Sequence, residues 1–166
     1  MKQENIQQLL TEKLGEGVIL RTDAGASPPI LEVPPQRIAE VCQLLHEHEQ
    51  TYFDYLSCLT ALDNGPDTNT MEVIYHLYSI PYNYQIGLKA TLKREKEGKI
   101  LPQIPTISHI WQSANWHERE AFDLLGIVFV GHPDLRRILL PADWEGHPLR
   151  KDYEEQAYYH GVKVEY

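Results

Sequence analysis

The sequence predicts an α+β domain, a mostly antiparallel sheet covered by helices, followed by an extended C-terminal arm. Three observations carry this. Residues 84–92 alternate strictly, with Tyr84, Ile86, Leu88, Ala90 and Leu92 set against Gln85, Gly87, Lys89 and Thr91. That is the period-2 pattern of a strand with one buried face. Near the N-terminus, two segments place their aliphatic residues at helical spacing instead. Residues 127–166 hold neither period, and scatter Arg136, Arg137, Arg150 and Lys151 among prolines, glycines and isolated aliphatics. The expected division is an α+β domain over 1–126 and an arm over 127–166.

In chain order, residues 2–14 set Ile6, Leu9, Leu10 and Leu14 on one helical face, and Gly15 and Gly17 end it. Residues 18–21 read as a short strand and residues 24–29 (AGASPP) as a turn-rich loop, after which residues 30–33 run extended. Pro34-Pro35 opens a second amphipathic helix with Ile38, Val41, Cys42 and Leu45 on one face. Residues 52–61, 71–80 and 84–92 read as three strands, the first two joined by an Asp63-Asn64-Gly65-Pro66 turn. Residues 93–99 read as a solvated charged loop.

Between Pro105 and Gly126 the pattern predicts two helices. Ile107, Ile110, Trp111 and Ala114 form one apolar face. An unbroken helix would bring Glu118 onto that face beside Ala121, Phe122 and Leu125, where an unpaired carboxylate is costly. A capping box avoids this, with Asn115 as N-cap and Glu118 reaching back from N3. Arg119 and Asp123, four residues apart, are expected to pair on the polar side. Glu118 is expected to be buried and to pair with Arg136 or Arg137, fixing the root of the arm.

The length of 166 residues fits one domain able to bury roughly two thirds of its unfolded surface. Net charge is −9, with residues 127–152 neutral in balance and the acidity concentrated in residues 1–126. An acidic body excludes the electrostatic footprint of a nucleic-acid binder and disfavours adsorption on an anionic membrane. The opening residues MKQENIQQLL lack the apolar core of a signal peptide, so a cytosolic chain is expected. Cys42 and Cys58 stand alone in apolar surroundings and are expected to be buried reduced thiols.

Chemistry is hard to find. The histidines lack zinc-ligand spacing, no phosphate-cradling glycine loop is present, and nothing sets a nucleophile beside a base. His132-Pro133 and His147-Pro148 read as turns whose imidazoles bond to backbone groups. The Glu118–Asp123 cluster could supply a general acid and base, but a charge network is the more economical reading. Arg136-Arg137 and Arg150-Lys151 suit bidentate contact with carboxylates of a partner. Trp144, Ile138, Leu139, Leu140 and Leu149 need burial somewhere, so the arm is expected to lie on another protein.

One segment carries a resemblance. Glu118-Arg119-Glu120, Asp123 and Gly126 are followed by Gly131-His132-Pro133, Leu135, Arg137-Ile138-Leu139 and Pro148-Leu149-Arg150-Lys151-Asp152-Tyr153. This run resembles the signature of the 30 kDa subunit family of respiratory complex I, the C-type subunit of NADH-quinone oxidoreductase. Leu125, where the family often has an aromatic, and Glu154, where proline is common, depart from it. Upstream, the likeness is one of layout and length. The resemblance implies a non-catalytic peripheral-arm subunit that contacts the D-type subunit, which forms the quinone site with the B-type subunit. It implies no catalytic, cofactor or metal residue on this chain, with flavin and iron–sulfur clusters carried by partner subunits. It also implies a complex that transfers electrons to quinone and pumps protons at the cytoplasmic side of the bacterial inner membrane. Glu118, Arg119, Glu120, Asp123, His132, Arg136, Arg137, Arg150, Lys151 and Asp152 form the expected partner-binding set. Two alternatives stay open: the equivalent subunit of a related membrane-bound hydrogenase, and a stand-alone carboxylate-dependent enzyme.

Overall fold

In the computed structural model, which describes residues 3–94 and 100–164, the alternating segments form the centre of a five-stranded sheet. Helix α1 (Gln3–Leu14) and strands β1 (Arg21–Asp23) and β2 (Ile30–Glu32) come first. A 3₁₀ turn (Pro35–Arg37) leads into α2 (Ile38–Glu47), and β3 (Tyr55–Asp63), β4 (Thr70–Ser79) and β5 (Tyr84–Lys93) follow. Sheet order is β1-β2-β5-β4-β3, antiparallel throughout except where β2 runs parallel to β5. The predicted fold class stands.

Burial follows the pleat. Met71, Val73, Tyr75 and Leu77 of β4 and Ile86, Leu88, Ala90 and Leu92 of β5 all face one side. The register sets Val73 opposite Ala90 and Tyr75 opposite Leu88. Onto that face α1 lays Ile6 and Leu10, and α2 lays Ile38, Val41, Cys42 and Leu45, closing one core. Cys42 is buried, and desolvation pushes its thiol well up; Cys58, on β3, is only partly buried, and both are free. The first strand sits slightly later than predicted, because Val18 is a buried core residue and pairing begins with the Leu20 N–H on the Glu32 carbonyl.

Three expectations are corrected. The stretch before Gly126 holds a single helix, α3 (Gln112–Leu125), capped by Trp111 in extended conformation with no side-chain cap. Asn115 lies inside it, and the predicted first helix is a lone turn, Ile110 N–H to Ile107 C=O. The carboxylate needs no cap because the loop before the helix supplies its donors. Gly126 does end the helix, in the left-handed region at φ 73°. Second, Arg94 is not solvated: it is 5% exposed and ion-paired, while residues 95–99 of that predicted loop lie outside the described residues. Third, residues 128–130 are not irregular. They form β7 (Val128–Val130), which pairs in parallel with β6 (Gln103–Pro105) and buries Phe129. From Gly131 the chain is non-repetitive until the small hairpin of β8 (Tyr158–Tyr159) and β9 (Val162–Lys163).

Candidate functional site

The C-terminal end of α3 organises the arm. An α-helix leaves its last carbonyls without internal partners, and here the arm supplies them. His147 Nδ1 donates to the Asp123 carbonyl at 2.9 Å, Leu149 N–H to Leu124 at 3.0 Å, and Arg150 Nε to Leu125 at 2.7 Å. The approach is close enough to dictate Gly126. A Cβ there would stand 2.6 Å from His147 Nε2 and 2.8 Å from Arg150 Nη2.

Asp123 is the first clamp, fully buried in the last turns of α3. Its Oδ1 accepts from Arg137 Nη1 at 2.8 Å, and its Oδ2 accepts the backbone N–H groups of Ile138, Leu139 and Leu140 at 3.0, 2.8 and 2.9 Å. Burial alone would push this carboxyl up, but the amides and the guanidinium outweigh it and hold it below the usual range. Arg137 extends the clamp by donating from Nη2 to the Trp144 and Gly146 carbonyls at 3.0 and 2.9 Å. One ion pair thus fixes two separate stretches of irregular backbone.

Asp63, at the end of β3, is the second. Its Oδ1 accepts from Arg94 Nε at 2.9 Å and from the Gly65 N–H at 3.0 Å, and its Oδ2 accepts the Lys151 N–H at 2.8 Å. Arg94 also pairs with Asp152 of the arm. Against the cost of burial, these two carboxylates hold the Arg94 guanidinium firmly charged.

Glu118 is 0% exposed, as expected, but neither Arg136 nor Arg137 reaches it. Its Oε1 accepts the Ile107 N–H at 2.7 Å and its Oε2 the Thr106 hydroxyl. His132 Nε2 lies 3.9 Å away. That imidazole donates from Nε2 to the Asn115 carbonyl at 3.1 Å and accepts the Asp134 N–H on Nδ1 at 3.0 Å, which is the neutral tautomer. Buried without a cation, the Glu118 carboxyl is pushed up to about 7 by desolvation, with Thr106 and Ile107 opposing.

The remaining pairings differ from expectation. Asp123 takes Arg137 in place of Arg119, because the arm brings Arg137 into the buried pocket that α3 turns toward it. Arg119 donates instead to the Arg136 and Arg137 carbonyls at 3.3 and 3.5 Å. Arg136 pairs with Asp134 on the surface. Further along, Trp144 donates to the Tyr153 hydroxyl at 3.1 Å and packs on Tyr159 with ring centroids 5.2 Å apart.

The model of the family described as respiratory-chain NADH dehydrogenase, 30 Kd subunit, matches residues 31–159, from β2 through the arm to β8. The chain belongs to that family. The second of the C-type NADH-quinone oxidoreductase subunits of Rhizobium etli is 43% identical over 129 residues, covering 78% of this chain and 66% of that protein. The C-type subunit from Chlorobium phaeobacteroides is 38% identical over 160 residues, covering 95% of this chain and 92% of that protein. With the C-type subunit from Chloroherpeton thalassium the identity is 45%, but this chain spans only 48% of that relative's length. A chain of an archaeal membrane-bound sulfane sulfur reductase shares the fold at a TM-score of 0.71, with 22% identity, over 95% of this chain and 89% of that one.

Placed on the structure, the residues of the expected partner-binding set split in two. Glu118 and Asp123 are turned inward, the His132 imidazole is buried against α3, and Arg137 and Arg150 are half-buried there. Glu120, Arg136, Lys151 and Asp152 are exposed. Asp63, Arg94 and Thr106 were missed from sequence, although each does as much as a signature residue. The Asp63-Asn64-Gly65 turn held a signal for the first: an aspartate that bonds the amide two residues on is a habitual turn former. Nothing in the local pattern marked Arg94.

Proposed function

We propose that this chain is the C-type subunit of an NADH-quinone oxidoreductase, standing outside the membrane and holding the quinone-reducing module together through contact with the D-type subunit. The B-type subunit would complete the quinone site, and flavin and iron–sulfur clusters would reside on partner subunits. The assembled complex would transfer electrons to quinone and pump protons, with this subunit on the cytoplasmic side of a bacterial inner membrane. The observation carrying this reading is that the chain's buried charges hold an irregular arm in one fixed path. That path leaves Leu139 and Leu149 exposed, at 61% and 58%. Apolar side chains presented on a braced surface suit burial by another protein. Among the described residues no helix is long and apolar enough to cross a membrane; in this reading membrane attachment comes through the partners.

The same subunit in a related membrane complex is the second reading, favoured by the fold shared with the sulfane sulfur reductase chain. Affinity purification of the chain from its native membranes separates the readings. The first expects co-purified subunits bearing flavin and iron–sulfur clusters with NADH:quinone activity. Clusters without NADH oxidation would favour the second. A chain that elutes alone from gently solubilised membranes would overturn both.

A further inference from the structure

We propose that Trp116 and Arg119 together form the anchor point for a carboxylate-bearing segment of a partner protein. The inference deepens the function proposed above and rests on it. Trp116 is 63% exposed on the outer face of α3, an unusual place for an indole. The Arg119 guanidinium lies over its ring at 5.3 Å from the centroid. From its other side Arg119 donates to the Arg136 and Arg137 carbonyls, so the planar fork is braced between a helix and the arm root. No carboxylate lies within ion-pair distance of it among the described residues, since Asp134 pairs with Arg136 and Asp123 with Arg137. Glu120, one turn on from Trp116, lines a groove with His117 and residues 58–61 of β3 and makes no ion pair with Arg119.

The charge balance selects the occupant. On a chain of net charge −9, an arginine held against an indole yet without a counter-ion among the described residues is complementary to an acid from outside. A guanidinium already held by an indole loses little freedom when a carboxylate takes it in bidentate fashion. Tryptophan and arginine are also the residue types in which interface energy concentrates. An aspartate or glutamate laid over the indole edge would therefore meet a pre-formed seat.

Hydroxyl-radical footprinting read by mass spectrometry tests this on the wild-type chain, alone and within the purified complex. Trp116 should oxidise readily in the isolated chain and several-fold more slowly in the complex. Equal oxidation in both would overturn the inference while leaving the proposed function standing, and failure to recover any complex would overturn that function instead. Protection that appears in the isolated chain as its concentration rises would assign the patch to a second copy, which also overturns it. As a second arm, Arg119→Gln should lower the amount of assembled complex on the order of tenfold, the scale of one hot spot. Arg119→Lys should recover part of it, and the unfolding midpoint of the isolated chain should move only slightly in either, because both hydrogen bonds to the arm root are long. Full assembly by Arg119→Gln would count against the anchor.

Discussion

The sheet body and the arm are held together by opposite means. In the body, every second residue of β4 and β5 is buried, and Ile6, Leu10, Val41 and Leu45 close over them. Stability there is spread over many side chains, each worth about 1.5–3 kcal/mol of burial. From Gly131 onward the arm has almost no core, since among its described aliphatics only Leu135 packs against the main cluster. A few carboxylates hold it instead: Asp123 fixes three successive amides and Arg137, and Asp63 fixes Arg94 and Lys151. A distributed apolar core tolerates local change in proportion to the volume lost. A polar clamp fails as a unit, because removing one member leaves several buried partners unsatisfied.

The largest effect should come from the body. Leu88→Ala removes a fully buried side chain at the centre of the sheet, where it stands opposite Leu31 and Tyr75. The cost should be about 4 kcal/mol, the usual range for such cavities. Denaturant unfolding followed by circular dichroism would read it, and arm and body should be lost in one transition. An arm that survives body unfolding would break the comparison at once.

Asp123→Ala should cost about 3 kcal/mol, from a guanidinium left uncompensated and three amides left without their acceptor. The loss should be local. Hydrogen exchange is expected to quicken at Ile138, Leu139 and Leu140 and across the Trp144–Gly146 turn, while β4 and β5 keep their protection. Loss of protection in the central strands to the same degree would mean that arm and body form one cooperative unit.

How far the sequence disclosed this difference follows from the range of each signal. Alternation in residues 84–92 and the aliphatic stripe of α2 are local, and the structure keeps both. The β6–β7 pair is three residues long and parallel, with α3 between its strands, so no run was long enough to show a period. The clamps are less legible still. Asp63 meets Lys151 and Arg94 meets Asp152 across wide sequence separations, and charge alone does not choose among possible partners. Residue type disclosed the arm's importance, but partner choice came from the path of the backbone. Arg119 was matched to Asp123 because four residues separate them, yet Arg137 arrives with better geometry and takes the carboxylate.

Glu118 is the one buried carboxylate among the described residues that lacks an arginine or lysine partner. Its carboxyl titrates at about 7 in the folded chain against an ordinary 4.5. Between those values the folded state keeps a proton that the unfolded state has released, so stability falls as pH rises. It should be highest near the acid end of that window and level off above about pH 7, after a loss on the order of 3 kcal/mol. The Asp123 and Asp152 carboxyls lie below the usual range and contribute their losses in stronger acid, outside this window. Unfolding titrations from about pH 5 to 8 should show the slope in wild type and little of it in Glu118→Gln. Parallel profiles for the two proteins would show that Glu118 is not the group responsible.

The smallest effect should be at Asp152, and it sharpens the comparison because the residue looks like a clamp without being one. It pairs with Arg94 across the arm–body boundary, just as Asp123 pairs with Arg137. The Asp152 side chain is 47% exposed, however, whereas that of Asp123 is fully buried. Arg94 also keeps Asp63 if Asp152 is lost, so no buried charge is stranded. Surface pairs of this kind are worth at most about 1 kcal/mol and weaken with salt. Asp152→Asn should therefore change stability by less than that, and added salt should narrow the gap to wild type further. A loss as large as that of Asp123→Ala, unaffected by salt, would show that charge number rather than burial decides which carboxylates hold the arm.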